Sequence, residues 1–220
     1  MKSSIVAGAV VLCGCLLAGP YLYGEHPVGG STPAAAKSPQ THPADKGWGK
    51  AASQAPDFTL QDQDGKPVTL SDYKGKIVVL EWFNGECPYV QRHYKSKTMQ
   101  SLAGQYRDKG VVWLAINSTS TADRKVNKAW VEKYKLDYPI LDDHTGKVGK
   151  LYGAKTTPHM FVIDRDGNVV YKGAIDDDPS GKKEHAANYV AEVLQNLTDG
   201  QSVALKETKP YGCSVKYPKE

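Results

Sequence analysis

The sequence predicts an α/β fold: a mixed central sheet with helices on both faces and an N-terminal β-hairpin. Three observations carry this. The apolar runs Ile77 to Phe83 and Val111 to Ile116 are too continuous for strands with one wet face, and suit strands buried on both. Segments with apolar residues at helical spacing follow them. Two Asp-Gly pairs, Asp64-Gly65 and Asp166-Gly167, lie between short β-rich runs, the pattern of antiparallel hairpins.

The chain opens Met1-Lys2, then runs apolar from Ile5 to about Leu22. A positive start before such a run marks an export signal. A spanning helix needs about 20 apolar residues, so the run is borderline, and Pro20 lies inside it. Leu12-Cys13-Gly14-Cys15 resembles a bacterial lipobox, although apolar residues continue beyond Cys15. Residues 1–23 therefore read as a signal peptide or a membrane or lipid anchor. A cleaved signal, a lipoprotein and an uncleaved anchor all stay open, and each places the domain on the periplasmic or cell-envelope side. Residues 24–54 are rich in Pro, Ala, Gly, Ser and Lys without apolar periodicity, and read as a flexible linker.

The folded domain is expected over 55–199. Phe58 to Leu60 and Val68 to Leu70 flank Asp64-Gly65 as the first hairpin. A helix is expected from about Pro88 to Lys109, closed by Gly110, and a second from about Ala122 to Lys135. In the second, Val126, Ala129, Trp130 and Tyr134 recur at helical spacing. Pro139 to Leu141 is a short strand. Met160 to Ile163 and Val169 to Tyr171 form a hairpin around Asp166-Gly167, and a last helix covers about His185 to Leu197. Residues 200–220 show no regular pattern and read as a tail carrying Cys213.

A net charge of +4, with basic residues scattered among acidic ones, argues against a nucleic-acid partner. Four cysteines, Cys13, Cys15, Cys87 and Cys213, are too few and too dispersed for a disulfide scaffold. The sequons at Asn117 and Asn196 read as chance matches.

The chemistry gathers at Glu81-Trp82-Phe83-Asn84-Gly85-Glu86-Cys87-Pro88-Tyr89-Val90. Cys87 follows a buried strand and precedes a helix that has Pro at its first position. A thiol there faces unpaired backbone N–H groups and the positive end of the helix dipole, which favour the thiolate. The opening Ala55-Pro56-Asp57-Phe58-Thr59-Leu60, the stretch Leu70 to Lys76 and Thr157-Pro158 before Met160 to Asp164 complete a pattern. Residues 55–198 resemble the thioredoxin-like superfamily, in its peroxiredoxin-like or redoxin (AhpC/TSA-type) branch. Within it they resemble exported redoxins with a Cys-Pro-Tyr-Val site and a C-terminal Gly-Cys.

The resemblance implies a thioredoxin-like fold, Cys87 as nucleophile and a cis Pro158 beside it. It also implies that Pro158 exposes the Thr157 backbone for strand-like pairing with substrate. There are departures. Thioredoxins carry Cys-x-x-Cys, and here Val90 holds the second position. Peroxiredoxins place Pro seven and Thr three residues before the reactive Cys, where this chain has Leu80 and Asn84. Their usual Arg in the later loop is replaced by Pro158.

With no local resolving thiol, Cys213 is the candidate to resolve Cys87, the alternative being a free, surface-packed Cys213. Glu81 breaks an apolar strand where thioredoxins keep a buried Asp. It reads either as a proton relay or as a strand-edge residue reaching solvent. Arg92 and His93 read as solvated. Pro88, Thr157, Pro158 and His159 are candidates for lining a substrate site. Asp176, Asp177 and Asp178 read as an exposed loop, a bound cation being the alternative.

The leading function is extracytoplasmic thiol–disulfide oxidoreduction on protein or small-molecule thiols and disulfides. A peroxiredoxin-like peroxidase acting on peroxide is the alternative. Copper binding and a non-catalytic module rank lower. No cofactor and no metal are expected.

Overall fold

The computed structural model describes residues 53–219. The expected signal or anchor, most of the linker, Cys13 and Cys15 lie outside the described residues. Among the described residues, no helix is long and apolar enough to cross a membrane.

The centre is β4 (Ile77–Trp82), paired in parallel with β5 (Val111–Asn117) and antiparallel to β8 (Met160–Ile163). Every residue of β4 is buried, which is why its sequence does not alternate. Ile77 and Val79 face one core layer, and Val78, Leu80 and Trp82 face the other. Outside β8 runs β9 (Asn168–Gly173), and outside β5 runs β6 (Ile140–Asp142). The hairpin β2 (Thr59–Gln61) and β3 (Pro67–Thr69) joins the far edge through β6. The sheet order is β1-β9-β8-β4-β5-β6-β2-β3, a mixed sheet. Here β1 is Ser53–Gln54, so the chain pairs one step earlier than the expected start at Ala55.

One layer holds α1 (Pro88–Lys95), α2 (Thr98–Arg107), α3 (Arg124–Tyr134) and α5 (Tyr189–Thr198). The other is covered by α4 (Lys147–Tyr152) and by Phe58 and Leu70 of the hairpin segment. There the Trp82 ring packs on Tyr152 and Phe161 at 5.4 and 5.0 Å between centroids. Each such pair is worth about 0.5–1.5 kcal/mol beyond area burial.

Several expected elements are corrected. The helix drawn from Pro88 to Lys109 is two helices. Ser96 Oγ donates to the carbonyls of Arg92 and His93, and Lys97 turns left-handed with φ 59°, so α1 stops there. In α3, Val126 is 40 % exposed, while Asn127 is buried and accepts from Asn117 Nδ2 at 2.8 Å. The last helix starts at Tyr189 rather than His185, because the Asn188 side chain accepts from the Ala191 amide and caps it. The tail is not patternless: β10 (Cys213–Ser214) pairs antiparallel with β7 (Thr156–Thr157).

Candidate functional site

Cys87 is the N-cap residue of α1, with Pro88 at the first helical position. The turn that delivers it is fixed by Asn84, whose carbonyl accepts from the Cys87 amide and whose side chain accepts from the Glu86 amide. At Gly85 a Cβ would run into the Trp130 indole, so the strand can turn there only with glycine. The Cys87 side of α1 is closed over: the residue is 2 % exposed.

The Thr157–Pro158 bond is cis. Its loop brings the Thr157 carbonyl within 3.0 Å of Cys87 Sγ. Against the same edge lies β10, with Cys213 opposite Thr157 and Ser214 opposite Thr156. The result places Cys213 Sγ 2.8 Å from Cys87 Sγ. Both thiols are free. A disulfide bond of about 2.05 Å therefore needs only a small approach. Further along the tail, the Val215 amide donates to Lys155 O, and Tyr217 donates to Ala154 O at 2.9 Å. Cys213 is thus held on both sides.

The two thiols are unlike. Burial pushes Cys87 up, but hydrogen bonds from the Cys213 and Thr157 side chains and from the Val90 and Cys213 backbone outweigh it, and the thiol sits below its ordinary value. Burial and the neighbouring Cys87 sulfur push Cys213 up. The pair thus divides into a thiolate former and a proton keeper.

Glu81 is fully buried, not at a strand edge reaching water. Tyr94 Oη and Trp113 Nε1 donate to its Oε2 at 3.0 and 2.9 Å, and Tyr138 donates on to Tyr94 at 3.2 Å. Burial raises its carboxyl to about 7 against the pull of Trp113 and Tyr94. Its Oε1 has no hydrogen-bond partner among the described residues.

Three expectations about exposure are corrected. His93 is buried rather than solvated, and Arg92 is half-buried; both lie beneath the tail, at Tyr211. Burial lowers the His93 imidazole, with Arg92 acting the same way and Asp176 and Asp178 opposing. Asp176 and Asp178 are buried, not an exposed loop. Their carboxylates and that of Asp177 accept from the loop's own amides, from Ser180 and from Lys183, and these bonds organise the turn. The His159 ring is buried against Phe161, 4.6 Å away, and its Nδ1 accepts from the Lys155 amide. It braces the proline loop from inside. The sequence offers Tyr211, with Val215 and Tyr217, as an anchor that pins the tail to the domain; its polar partners Arg92, His93 and Asp176, distant in sequence, carry no such signal.

Residues 51–172 match the model of the AhpC/TSA family. A thiol-disulfide oxidoreductase ResA of Bacillus thuringiensis subsp. konkukian is 35% identical over 117 residues. That alignment spans 53% of this chain and 65% of the relative, a little under two thirds of its length. A solved hypothetical protein of Sinorhizobium meliloti superposes with TM-score 0.72 at 25% identity, covering 79% of this chain and 98% of its own. A conserved protein of Geobacillus kaustophilus gives 0.70 at 30%, covering 77% and 93%. A match over more than half the sequence, on a thioredoxin-like sheet with the thiol at its strand-to-helix turn, settles the family: the chain belongs to AhpC/TSA.

Proposed function

We propose that this chain is a thiol–disulfide oxidoreductase in which Cys87 is the nucleophile and Cys213 the resolving thiol. One observation carries the reading: β10 holds Cys213 Sγ 2.8 Å from Cys87 Sγ at the cis-proline edge. The substrates are protein or small-molecule disulfides and thiols. The name of the Bacillus relative supports that class.

The Cys87 thiolate attacks one sulfur of a substrate disulfide. That S–S bond breaks, and its electron pair leaves on the other substrate sulfur. Cys213 then gives up its proton, and its thiolate attacks Cys87 Sγ. The second substrate thiolate departs, and Cys87 and Cys213 remain bonded. The substrate has gained two electrons and the protein has lost two; the reverse sequence oxidises a dithiol. Glu81, beneath the site with a carboxyl near neutrality, takes up or returns the proton in this scheme. Pro88 shapes the helix start; the Thr157 backbone, expected to be exposed for substrate, is buried and taken by β10, so the Thr157–Pro158 edge positions Cys213 against Cys87 instead.

The apolar start after Lys2 supports export and tethering through the N-terminus. Peroxide reduction is the weaker reading, because Leu80 and Asn84 stand where a peroxide pocket would place Pro and Thr.

Diamide treatment of the full chain should yield a peptide linking Cys87 to Cys213. Cys213→Ser should accumulate mixed disulfides on Cys87. Loss of both results overturns the pair. Faster turnover of hydrogen peroxide than of insulin disulfides would move the reading to the peroxidase.

A further inference from the structure

A group of polar side chains converges beside the sulfurs on the hydroxyl of Tyr211. That hydroxyl accepts from Arg92 Nη2 at 3.1 Å, lies 2.9 Å from His93 Nε2, and donates to Asp176 Oδ1. Arg92 also donates to the carbonyls of Asp178 and Pro179, at 2.8 and 3.1 Å. The Tyr211 ring packs on Tyr89, 5.8 Å between centroids, and the Arg92 guanidinium lies 5.7 Å from its centre. One phenol thus ties together α1, the loop after β9 and the tail. The placement is specific: Tyr211 lies two residues before Cys213, and Tyr89 lies two residues after Cys87. The knot joins the two segments that carry the sulfurs and is built largely from groups that the thiol chemistry leaves unused.

We propose that Tyr211 is a positioning residue whose hydroxyl, shared among Arg92, His93 and Asp176, holds Cys213 against Cys87 and so sets how readily the two bond. This rests on the Cys87–Cys213 reading above. The physical ground is effective concentration. The two cysteines are 126 residues apart in sequence, and chain connectivity alone brings such distant groups together weakly. Each bond that orders the tail before the sulfurs join removes an ordering cost from the joining step. The exchange is balanced: protein dithiol plus glutathione disulfide gives protein disulfide plus two glutathione. Its equilibrium constant measures the effective concentration directly.

The experiment equilibrates the full chain over a series of glutathione ratios, quenches with acid, alkylates, and quantifies the linked peptide. In Tyr211→Phe the constant should fall about tenfold, the scale of losing a hydrogen bond to a charged group. Asp176→Asn, which leaves the phenol in place, should move it the same way. The double variant should fall no further than Tyr211→Phe alone, since both act through one bond. A merely structural role would lower the melting temperature and leave the constant unmoved. An unchanged constant in either single variant, or additive losses in the double, overturns the proposal. A wild-type sample that forms no linked peptide at any ratio overturns the pair itself, and this shows before any variant is made.

Discussion

Glu81 is the residue at which sequence, burial and chemistry meet. A carboxylate buried without a full set of partners is costly, and the chain responds by holding the proton. Its folded pKa is raised to about 7, from an ordinary value of 4.5. Between those values the folded protein keeps a proton that the unfolded chain has released. The stability this proton confers is whole below pH 4.5 and is lost as pH rises to about 7. The full loss is about 3 kcal/mol, taking 1.36 kcal/mol per pKa unit. Chemical denaturation of wild type and Glu81→Gln should diverge by that order between pH 4.5 and 7, with the slope absent from the variant. Thiol exchange at Cys87 should also slow in Glu81→Gln and lose its inflection near neutrality. Identical stability curves and kinetics would leave Glu81 with a packing role only. This residue was legible because it interrupts an apolar run. The burial of His93 was not, because an Arg-His pair on a short helix looks solvated until the tail that covers it is placed.

Among the elements, β10 contributes most to the site and was least visible. Two paired residues leave no periodicity to read. What fixes its position is a glycine. Gly212 has φ +136°, and a Cβ there would overlap the Thr157 carbonyl. Gly212→Ala should therefore lift the strand from β7 and slow diamide formation of the linked disulfide by about tenfold or more, with the far-ultraviolet spectrum retained. Gly104→Ala, in α2 with open space around it, should leave that rate unchanged. Equal rates in all three proteins would mean that β10 docking does not limit bond formation. The long central strands were legible for the opposite reason: burial on both faces writes itself as an unbroken apolar run. The interruption of the first helix was hidden because nothing at Ser96-Lys97 breaks helices by type; a side-chain bond and one left-handed residue do it locally. The short α4, between Gly146 and Gly153 at φ 69° and 66°, had its punctuation in the sequence but too few residues for a pattern.

At the scale of the whole molecule, the alternation of strands and helices made the layered sheet readable, whereas the course of the tail depends on distant partners. Before reaching the site it runs beside β9, where the Lys172 amide donates to Lys206 O and the Thr208 amide to Lys172 O, and Thr208 Oγ1 meets the Tyr171 hydroxyl at 2.7 Å. No local rule predicts such a route, because each bond joins residues more than thirty positions apart. That covering has a consequence for recharging the oxidised protein. Cys87 is 2 % exposed, while Cys213 is partly open to solvent. A reducing thiol therefore meets Cys213 first. Cys87, the sulfur better able to carry negative charge, is expelled as the leaving thiolate. Oxidised protein given a brief pulse of glutathione, then acid and iodoacetamide, should carry glutathione on Cys213 and the alkyl group on Cys87. The opposite labelling would mean that the tail swings away before reduction. On the expected labelling, electrons enter this molecule through its last strand, and the thiol that reduces it must fit the face that Cys213 presents, not the mouth of the helix that makes Cys87 reactive.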